Sequence, residues 1–563
     1  MPTRPRARLK RLVKITNRVT NSGKYNFELC RIPVPTGLNV DLFKWHLACY
    51  HDRQLVEFLE FGWPINCDRA PEHRFAVDNH KGAREYPSDI EKFLQDETNL
   101  GRVLGPFPSS PFNAPVIISP LNTTEKRDST ERRIILDLTY PGVNSVNTSI
   151  SKDEYLGQQV CLKYPTVDDL IWQINVHGPG CLLFKRDLRK AYRQIPIDPG
   201  DVPKLAYMWR GEMYADRVLS MGLRSAAYIC QRVSDSIMYI FRNLGYTGVV
   251  YLDDFAGVGV GSGAYEAFEA LGKLLSELGL VESEDKACKP STRMNFLGIW
   301  FCTESMTMRI TPERLDEINQ VLQVWENKAS ASKKELQSII GKLSFAAKCV
   351  RPGRLFLARM LNELRSSPDT GSFAISEDFK KEVLWWRKVM PHFNGVSIIP
   401  PNIWSEPDAV LACDACLTGA GGVCGSEYFH RTFPPYILDK APDINQKELV
   451  TIMAALAVWH EKLRGLRVQI LCDNLVTVQV MMSGRARNKF MQACLREITW
   501  LAAVHQFELQ PQHIEGQANR VPDWLSRWHL DSKFKKLFDD FHEGKKMWEV
   551  FVPEKYFHFS NDW

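Results

Sequence analysis

Two adjacent carboxylates inside an apolar run constrain this chain more than any other feature. Tyr251-Leu252-Asp253-Asp254 lies within the stretch Val249 to Val258, with small and branched residues on both sides. That pattern predicts a hairpin: strand, tight acidic tip, strand. Two neighbouring Asp residues at a strand end are unfavourable unless something positive sits on them, and a divalent metal fits that need. A third carboxylate lies upstream. Leu182-Leu183-Phe184 reads as a buried strand leading through Lys185-Arg186 to Asp187, and Leu188 to Tyr192 reads as a turn into a helix. If Asp187 stands beside the hairpin tip, three carboxylates gather at one sheet edge. Two Mg²⁺ ions about 4 Å apart are the usual answer to such a cluster in phosphoryl transfer, and Mg²⁺ takes hard oxygen ligands.

A second acidic set follows. Val410 to Asp414 reads as a strand ending in an acid, and Ala415 to Gly422 turns back through three glycines. Asn445-Gln446-Lys447-Glu448-Leu449 opens a helix expected to bury Ile452, Ala455 and Leu456. Val468 to Cys472 is another strand with Asp473 at its carboxyl end, and His513-Ile514-Glu515-Gly516 leads to Asn519 and Asp523. Ligands of open α/β sheets gather at the carboxyl ends of strands. Asp414, Glu448, Asp473 and Asp523 therefore form a second candidate two-metal site, with metal-activated water as the attacker.

Length and charge set the frame. At 563 residues the chain is too long for one core and suggests roughly three or four domains. The net charge of +5 permits a nucleic-acid partner without requiring one. The first 24 residues carry Arg4, Arg6, Arg8, Lys10, Arg11, Lys14, Arg18 and Lys24 and no acid. Such an arm can bind phosphate backbones, act as an address, or be a solvated tail. Fourteen scattered cysteines and no signal peptide are expected of reduced thiols in a cytoplasmic or nuclear protein. Cys413-x-x-Cys416 has no second ligand pair nearby, so zinc is not expected there. No apolar run approaches the roughly 20 residues of a membrane span.

Between the acidic sets, Thr311-Pro312-Glu313 opens a helix with Leu315, Ile318, Leu322 and Trp325 on its apolar face. Ser332 with Glu335 is a capping box for a second helix bearing Leu336, Ile339, Ile340 and Leu343. The repeated glycines from Gly257 to Gly263 fall at every second residue, so they read as the hairpin's return strand and turn rather than a dinucleotide loop.

In order and spacing these elements resemble a retroelement reverse transcriptase followed by a ribonuclease H domain, over about 90 to 530. Singly, each has a plainer reading: a surface turn for Asp253-Asp254, a helix cap for Asp187, a solvated hairpin for Lys126 to Arg133, a loop residue for His513. The resemblance implies an α/β multidomain fold, with a right-hand polymerase (fingers, ferredoxin-like palm, helical thumb) and then a ribonuclease H-like α/β domain. It divides the chain into an N-terminal region of unknown role (1–90), fingers and palm (91–300), thumb (301–365), connection or linker (366–407), ribonuclease H-like domain (408–529) and C-terminal tail (530–563). Asp187, Asp253 and Asp254 match the family's polymerase metal ligands, with Tyr192 as the gate under the sugar. Lys126 and Arg133 match the fingers cations that close on the triphosphate, and Arg is suited to that clamp. Ser220 to Ala227 matches the segment supporting the incoming nucleotide, including Met221 and Gly222. The family commonly has Phe or Gln where Met221 stands and Pro where Ala227 stands. Either Lys286 or Lys289 matches the lysine that protonates pyrophosphate. Asp414, Glu448, Asp473 and Asp523 match the nuclease carboxylates and His513 its mobile histidine. Arg351, Arg354, Lys342, Lys333 and Lys334 are candidate phosphate contacts of the thumb.

The implied cofactor is Mg²⁺, with Mn²⁺ as a substitute, two ions per site. The implied partners are RNA template, DNA primer, RNA–DNA hybrid and dNTPs. Asn79 to Ala83, Gly101 to Phe107 and Gly341 to Arg354 resemble DIRS-type retrotransposons, which integrate with a tyrosine recombinase, a candidate partner. The competing expectations are a decayed or host-recruited binding protein and a nuclease with an idle polymerase module. Oligomeric state is not legible.

Overall fold

The computed structural model describes residues 31–67, 77–125, 132–160, 164–390, 396–399, 406–484, 486–561 and 563. The basic arm, Lys126 and most of the Pro/Asn-rich stretch 391–407 lie outside these residues. The fold is mixed α/β and divides into two compact units, Met1–Leu297 with Phe301–Met306, and Gly298–Trp300 with Thr307–Trp563. No described helix is long and apolar enough to cross a membrane.

In the first unit, helix α1 (Pro87–Asn99) opens on a Pro, as its missing N–H allows. A hairpin follows: β1 (Leu121–Glu125) pairs antiparallel with β2 (Arg132–Leu136). Asn79 and His80 fasten its base. The Leu121 amide donates to Asn79 Oδ1 at 2.8 Å, and His80 Nε2 lies 2.9 Å from Asp137. Next come β3 (Leu182–Asp187), helix α2 (Ala226–Asn243), β4 (Gly248–Tyr251), β5 (Asp254–Gly259), helix α3 (Ser262–Glu277) and β6 (Cys288–Ser291). The sheet order is β6-β3-β5-β4, antiparallel throughout. The hairpin expected at Val249 to Val258 is thus β4–β5. Gly257 is required because a Cβ there would lie 2.2 Å from the Phe184 ring on β3.

Two features of this unit differ from the sequence reading. The segment after Asp187 forms only a 3-10 turn, Ala191–Gln194, entered through left-handed Lys190 (φ 51°). Pro196 then blocks helical continuation. The region before residue 90, from which no chemistry was read, is built into the core: Phe43, Leu55, Leu59 and Trp63 are buried in it. Arg232 of α2 grips Asp52 through two hydrogen bonds of 2.9 Å.

In the second unit, α4 (Pro312–Glu326) buries Ile318, Leu322 and Trp325, and α5 (Lys333–Ala346) begins at the Ser332–Glu335 capping box. The segment read as a connection holds α6 (Glu377–Val389), which buries Phe379, Trp385 and Trp386 and packs on α4. Downstream lie β7 (Ala409–Ala415), β8 (Gly419–Cys424), β9 (Glu427–Thr432), α7 (Ile444–Val458), α8 (His460–Leu463), β10 (Arg467–Cys472), α9 (Lys489–His505), β11 (Glu508–His513), α10 (Arg520–Ser526), α11 (Ser532–Phe541) and β12 (Trp548–Glu549). The sheet order is β11-β10-β7-β8-β9-β12. β7, β10 and β11 are parallel, and β7, β8 and β9 form an antiparallel meander. Helix α7 is buried from Gln446 to Ala457, not on one face, because it packs against β7, β8, α9 and the turn Glu554–Phe557. The C-terminal residues, left without an account by the sequence, extend the sheet through β12 and add Val552 and Phe557 to the core.

Candidate active sites

Antiparallel register places Asp254 of β5 directly opposite Asp187 of β3 and beside Tyr251 of β4. Asp253 follows at the tip, and its carbonyl accepts from the Leu188 amide at 3.0 Å. Three carboxylates therefore share one sheet edge. Burial first, then the charge of Asp187, raises the Asp253 carboxyl above the ordinary range. Asp254 is pushed up to about 6 by burial, with Asp253 and Asp187 adding and Lys185 opposing. Two lysines balance part of this charge: Lys286 Nζ lies 3.0 Å from Asp187 and Lys185 Nζ 3.4 Å from Asp254. Of the two candidate lysines, Lys286 is thus the one at the cluster. The set is all oxygen, half-buried and short of positive charge, which fits hard divalent cations.

Tyr192 stands near this edge. Burial first raises its phenol, and the Cys230 and Asp253 charges add. Its 3-10 turn is pinned from below, where Lys190 and Arg193 bond the fully buried Glu97 at 3.0 and 2.9 Å. Asn147 clamps the segment Ser220 to Ala227: its Nδ2 donates to the Gly222 carbonyl at 2.9 Å and its Oδ1 accepts from the Arg224 amide at 2.8 Å. Met221 is exposed on that segment and Gly222 has φ 101°. Arg133 is exposed on β2.

The turn itself depends on a residue the sequence reading passed over. Leu252 sits at φ 55°, a region that a non-glycine residue enters only at a cost. Gln231 of α2, fully buried, holds it there. Its Oε1 accepts from the Leu252 amide at 2.7 Å, and its Nε2 donates to the Val250 carbonyl and to Asp235, both at 2.8 Å. Ser234 donates to the Leu252 carbonyl. The visible signal was polar Gln231, Ser234 and Asp235 interrupting an apolar helix. Gln231→Leu leaves two buried backbone groups unpaired, costing about 1–3 kcal/mol each. The variant is expected to melt a few degrees below wild type and to bind divalent cations more weakly at the Asp187–Asp253–Asp254 edge. Cation binding equal to wild type in a folded variant would show that the turn keeps its shape without Gln231.

The second cluster is built on the six-stranded sheet. Ala412 of β7 lies beside Leu471 of β10 in parallel register, so Asp414 and Asp473 leave the same end of the sheet. Glu448 arrives from α7, its Oε1 accepting from the Ala415 amide at 3.3 Å. Helix α10 supplies Asp523. It approaches so closely that a Cβ on Gly421 would lie 2.5 Å from Leu525 and from the Ser526 amide. Ser526 donates to Asp414 at 2.6 Å, and Asn519 donates to the Cys413 carbonyl at 3.0 Å. His513 Nε2 lies 3.1 Å from the Asp473 carbonyl. All five predicted residues are therefore brought to one place. Burial first, with neighbouring carboxylates adding, raises Asp414 to about 7 and Glu448 well above its ordinary value.

That elevation has a measurable sign. Between the unfolded value of 3.8 and about 7, folded Asp414 keeps a proton that the unfolded chain has lost. Its contribution to stability is present at low pH and is lost as pH rises through 7. In chelator, Asp414→Asn is expected to melt several degrees above wild type at pH 8, with the gap closing as pH falls toward 3.8. A pH-independent difference between the melting curves would refute this.

Of the candidate thumb cations, two pair within their own unit, two are exposed, and one has a side chain outside the described residues. Lys342 pairs with Glu317, Lys333 with Asp369 at 2.7 Å, Lys334 and Arg354 are exposed, and the Arg351 side chain is not described.

Comparison with known proteins now adds to this geometry. Residues 125–301 match the family described as Reverse transcriptase (RNA-dependent DNA polymerase). The chain is 22% identical over 456 residues to the retrovirus-related Pol polyprotein from transposon opus of Drosophila melanogaster, covering 79% of this chain and 42% of that one. It is 23% identical over 463 residues to the enzymatic polyprotein of cauliflower mosaic virus (strain Strasbourg), covering 78% and 61%. Polyprotein P3 of Commelina yellow mottle virus is 23% identical over 288 residues, 50% of this chain and 14% of that one. The chain thus spans between about a seventh and three fifths of these relatives. A foamy viral protease-reverse transcriptase solved with double-stranded DNA aligns over 85% of this chain and 82% of its own, at 16% identity and a TM-score of 0.47. Residues 125–301 are thus similar to a reverse transcriptase domain, in a chain whose relatives include polyproteins of a transposon and of plant viruses.

Proposed function

We propose that this chain is an RNA- and DNA-directed DNA polymerase with hybrid-specific ribonuclease H activity, serving the copying of a retrotransposon. The observation that supports it most is the convergence of Asp187, Asp253 and Asp254 at one sheet edge inside the matched domain. In this reading those three carboxylates would hold two Mg²⁺ ions, for which Mn²⁺ could substitute, and Asp414, Glu448, Asp473 and Asp523 would hold a second pair. When bound, the ions would supply Lewis-acid chemistry at each site.

The remaining roles belong to the chain's own groups. Tyr192 packs beneath the incoming sugar and disfavours a 2′-hydroxyl. Lys126 and Arg133 neutralise the triphosphate, and Met221 with Gly222 supports the nucleotide. Lys286 Nζ, 3.0 Å from Asp187, delivers the proton to departing pyrophosphate. In the second site His513 assists proton movement or product release beside Asp473. Lys342, Arg351 and Arg354 contact duplex phosphates. The RNA template, DNA primer and dNTPs meet at the first site, and the RNA–DNA hybrid they produce is the substrate of the second. The proposed setting is a DIRS-type element in the cytoplasm or nucleus, with an element-encoded tyrosine recombinase as partner.

The test is primer extension on a defined RNA template with Mg²⁺ and dNTPs, run beside cleavage of the labelled RNA strand of a hybrid. Both activities should appear and both should vanish in chelator. A folded, hybrid-binding protein that neither extends nor cleaves under Mg²⁺ or Mn²⁺ would overturn the reading.

A further inference from the structure

The second unit holds a group of metal-ligand side chains outside the catalytic carboxylates. Helix α8 begins with His460 and Glu461, and α9 ends at His505. One ligand atom from each lies within 4.8 Å of the others. Glu448 stands near the opposite end of α7, ten residues before its last residue, roughly 15 Å along the helix axis.

We propose that His460, Glu461 and His505 form a zinc site that staples the α7–α8 corner to the end of α9. The argument begins with a tautomer. His460 Nδ1 lies 2.8 Å from the Ala457 carbonyl, which can only accept, so Nδ1 carries the proton. The Nε2 lone pair then faces Glu461 Oε1 at 3.4 Å. Two acceptors at that distance repel unless a proton or a metal cation stands between them. The His505 ring is the adjacent group, with ring centroids 4.3 Å apart. A ring nitrogen fixed by a backbone carbonyl while the other faces the ion is the usual outer-shell arrangement of a metal-binding histidine. The C-terminal end of α9 adds its negative dipole at His505.

Two imidazoles and one carboxylate suit zinc rather than Mg²⁺ or Ca²⁺. Tetrahedral zinc with bonds of about 2.0–2.1 Å needs ligand atoms roughly 3.3 Å apart, so small side-chain rotations complete the site and leave a position for water. Arg464, whose Nη1 lies 4.0 Å from Glu461 Oε2, is the competing cation and must release that oxygen or share it. α7 and α9 pack on each other, so a bond between their ends stiffens the helix that carries Glu448.

The test uses the full chain, stripped with chelator and dialysed into excess Mg²⁺ so that the catalytic carboxylates are occupied. Zinc is titrated against a chromophoric chelator, and melting is followed in parallel. Wild type should bind one more zinc equivalent than His460→Gln/His505→Gln, and zinc should raise the melting temperature of wild type alone. Glu461→Gln should weaken that equivalent at least about tenfold, as loss of one of three ligands should. Cobalt(II) should give a tetrahedral visible spectrum without a thiolate charge-transfer band, which distinguishes this site from zinc on Cys472 beside Glu448. Equal zinc stoichiometry in wild type and the double variant, or no stabilisation by zinc, would overturn the proposal and leave the trio as a protonated ion pair. Mg²⁺-supported hybrid cleavage by the double variant checks that it is folded.

Discussion

Asp253→Asn is expected to lower primer extension by roughly 10³-fold or more, while cleavage of the RNA strand of a hybrid stays within about twofold of wild type. The exchange keeps size and hydrogen-bonding capacity but removes one of three charges at the β3–β5 edge. Lys286 and Lys185 already neutralise part of that edge, at 3.0 Å from Asp187 and 3.4 Å from Asp254. Without Asp253, two carboxylates and two lysines remain, and the electrostatic demand for divalent cations largely disappears. The prediction is therefore a loss of metal affinity as well as rate. The residual extension should require far higher Mg²⁺ or Mn²⁺. The backbone has no reason to move, because Asp253 contributes its carbonyl to the Leu188 amide and Gln231 holds the turn independently. Melting in chelator should be unchanged or slightly raised, since burial and Asp187 already disfavour the ionised carboxyl. Steady-state extension on an RNA template over a Mg²⁺ titration measures this. Extension within tenfold of wild type would place the chemistry elsewhere.

How much of this was legible follows from the range of the interactions. The β4–β5 hairpin was readable because its apolar run and acidic tip are local, and the helix from Lys333 because Ser332 and Glu335 lie three residues apart. Asp187, Asp414 and Asp473 were readable because each ends an apolar strand, whereas Glu448 and Asp523 lie on helices and were singled out only by the order and spacing of the whole set. Gln231 was not, since the run of polar residues Gln231, Ser234 and Asp235 in an apolar helix marks a buried polar contact without saying that its partner is the turn twenty-one residues later. Nor was Asp52, which meets Arg232 across 180 positions of sequence. Helix α7 reads as one-sided from its periodicity. Only the packing of α9 and the C-terminal turn on its other face turns Gln446, Lys447 and Thr451 inward. The Tyr192 turn failed for a local reason: Pro196 stops a helix that Ala191 and Tyr192 alone would permit.

Glu448→Gln should remove hybrid cleavage by a comparable factor, about 10³-fold, with primer extension retained. Glu448 is almost wholly buried on α7, and in the metal-free chain burial with Asp414 and Asp473 nearby raises its carboxyl well above the ordinary range. A glutamine keeps the shape of that side chain without its charge, and its side-chain oxygen can still accept from the Ala415 amide. The fold loses nothing in chelator. What the glutamine cannot do is present a negative charge when divalent cations arrive, so the proposed site loses one anionic ligand and would have to hold the ions through Asp414, Asp473 and Asp523 alone. Metal should consequently stabilise wild type against heat more than it stabilises the variant, although both melt alike without it. The two activities then separate in one tube. On an RNA template the variant should extend the primer to full length and stop at intact hybrid, whereas wild type should degrade the copied RNA. Shortened RNA in the variant reaction, at a rate within tenfold of wild type, would rule Glu448 out of the nuclease site.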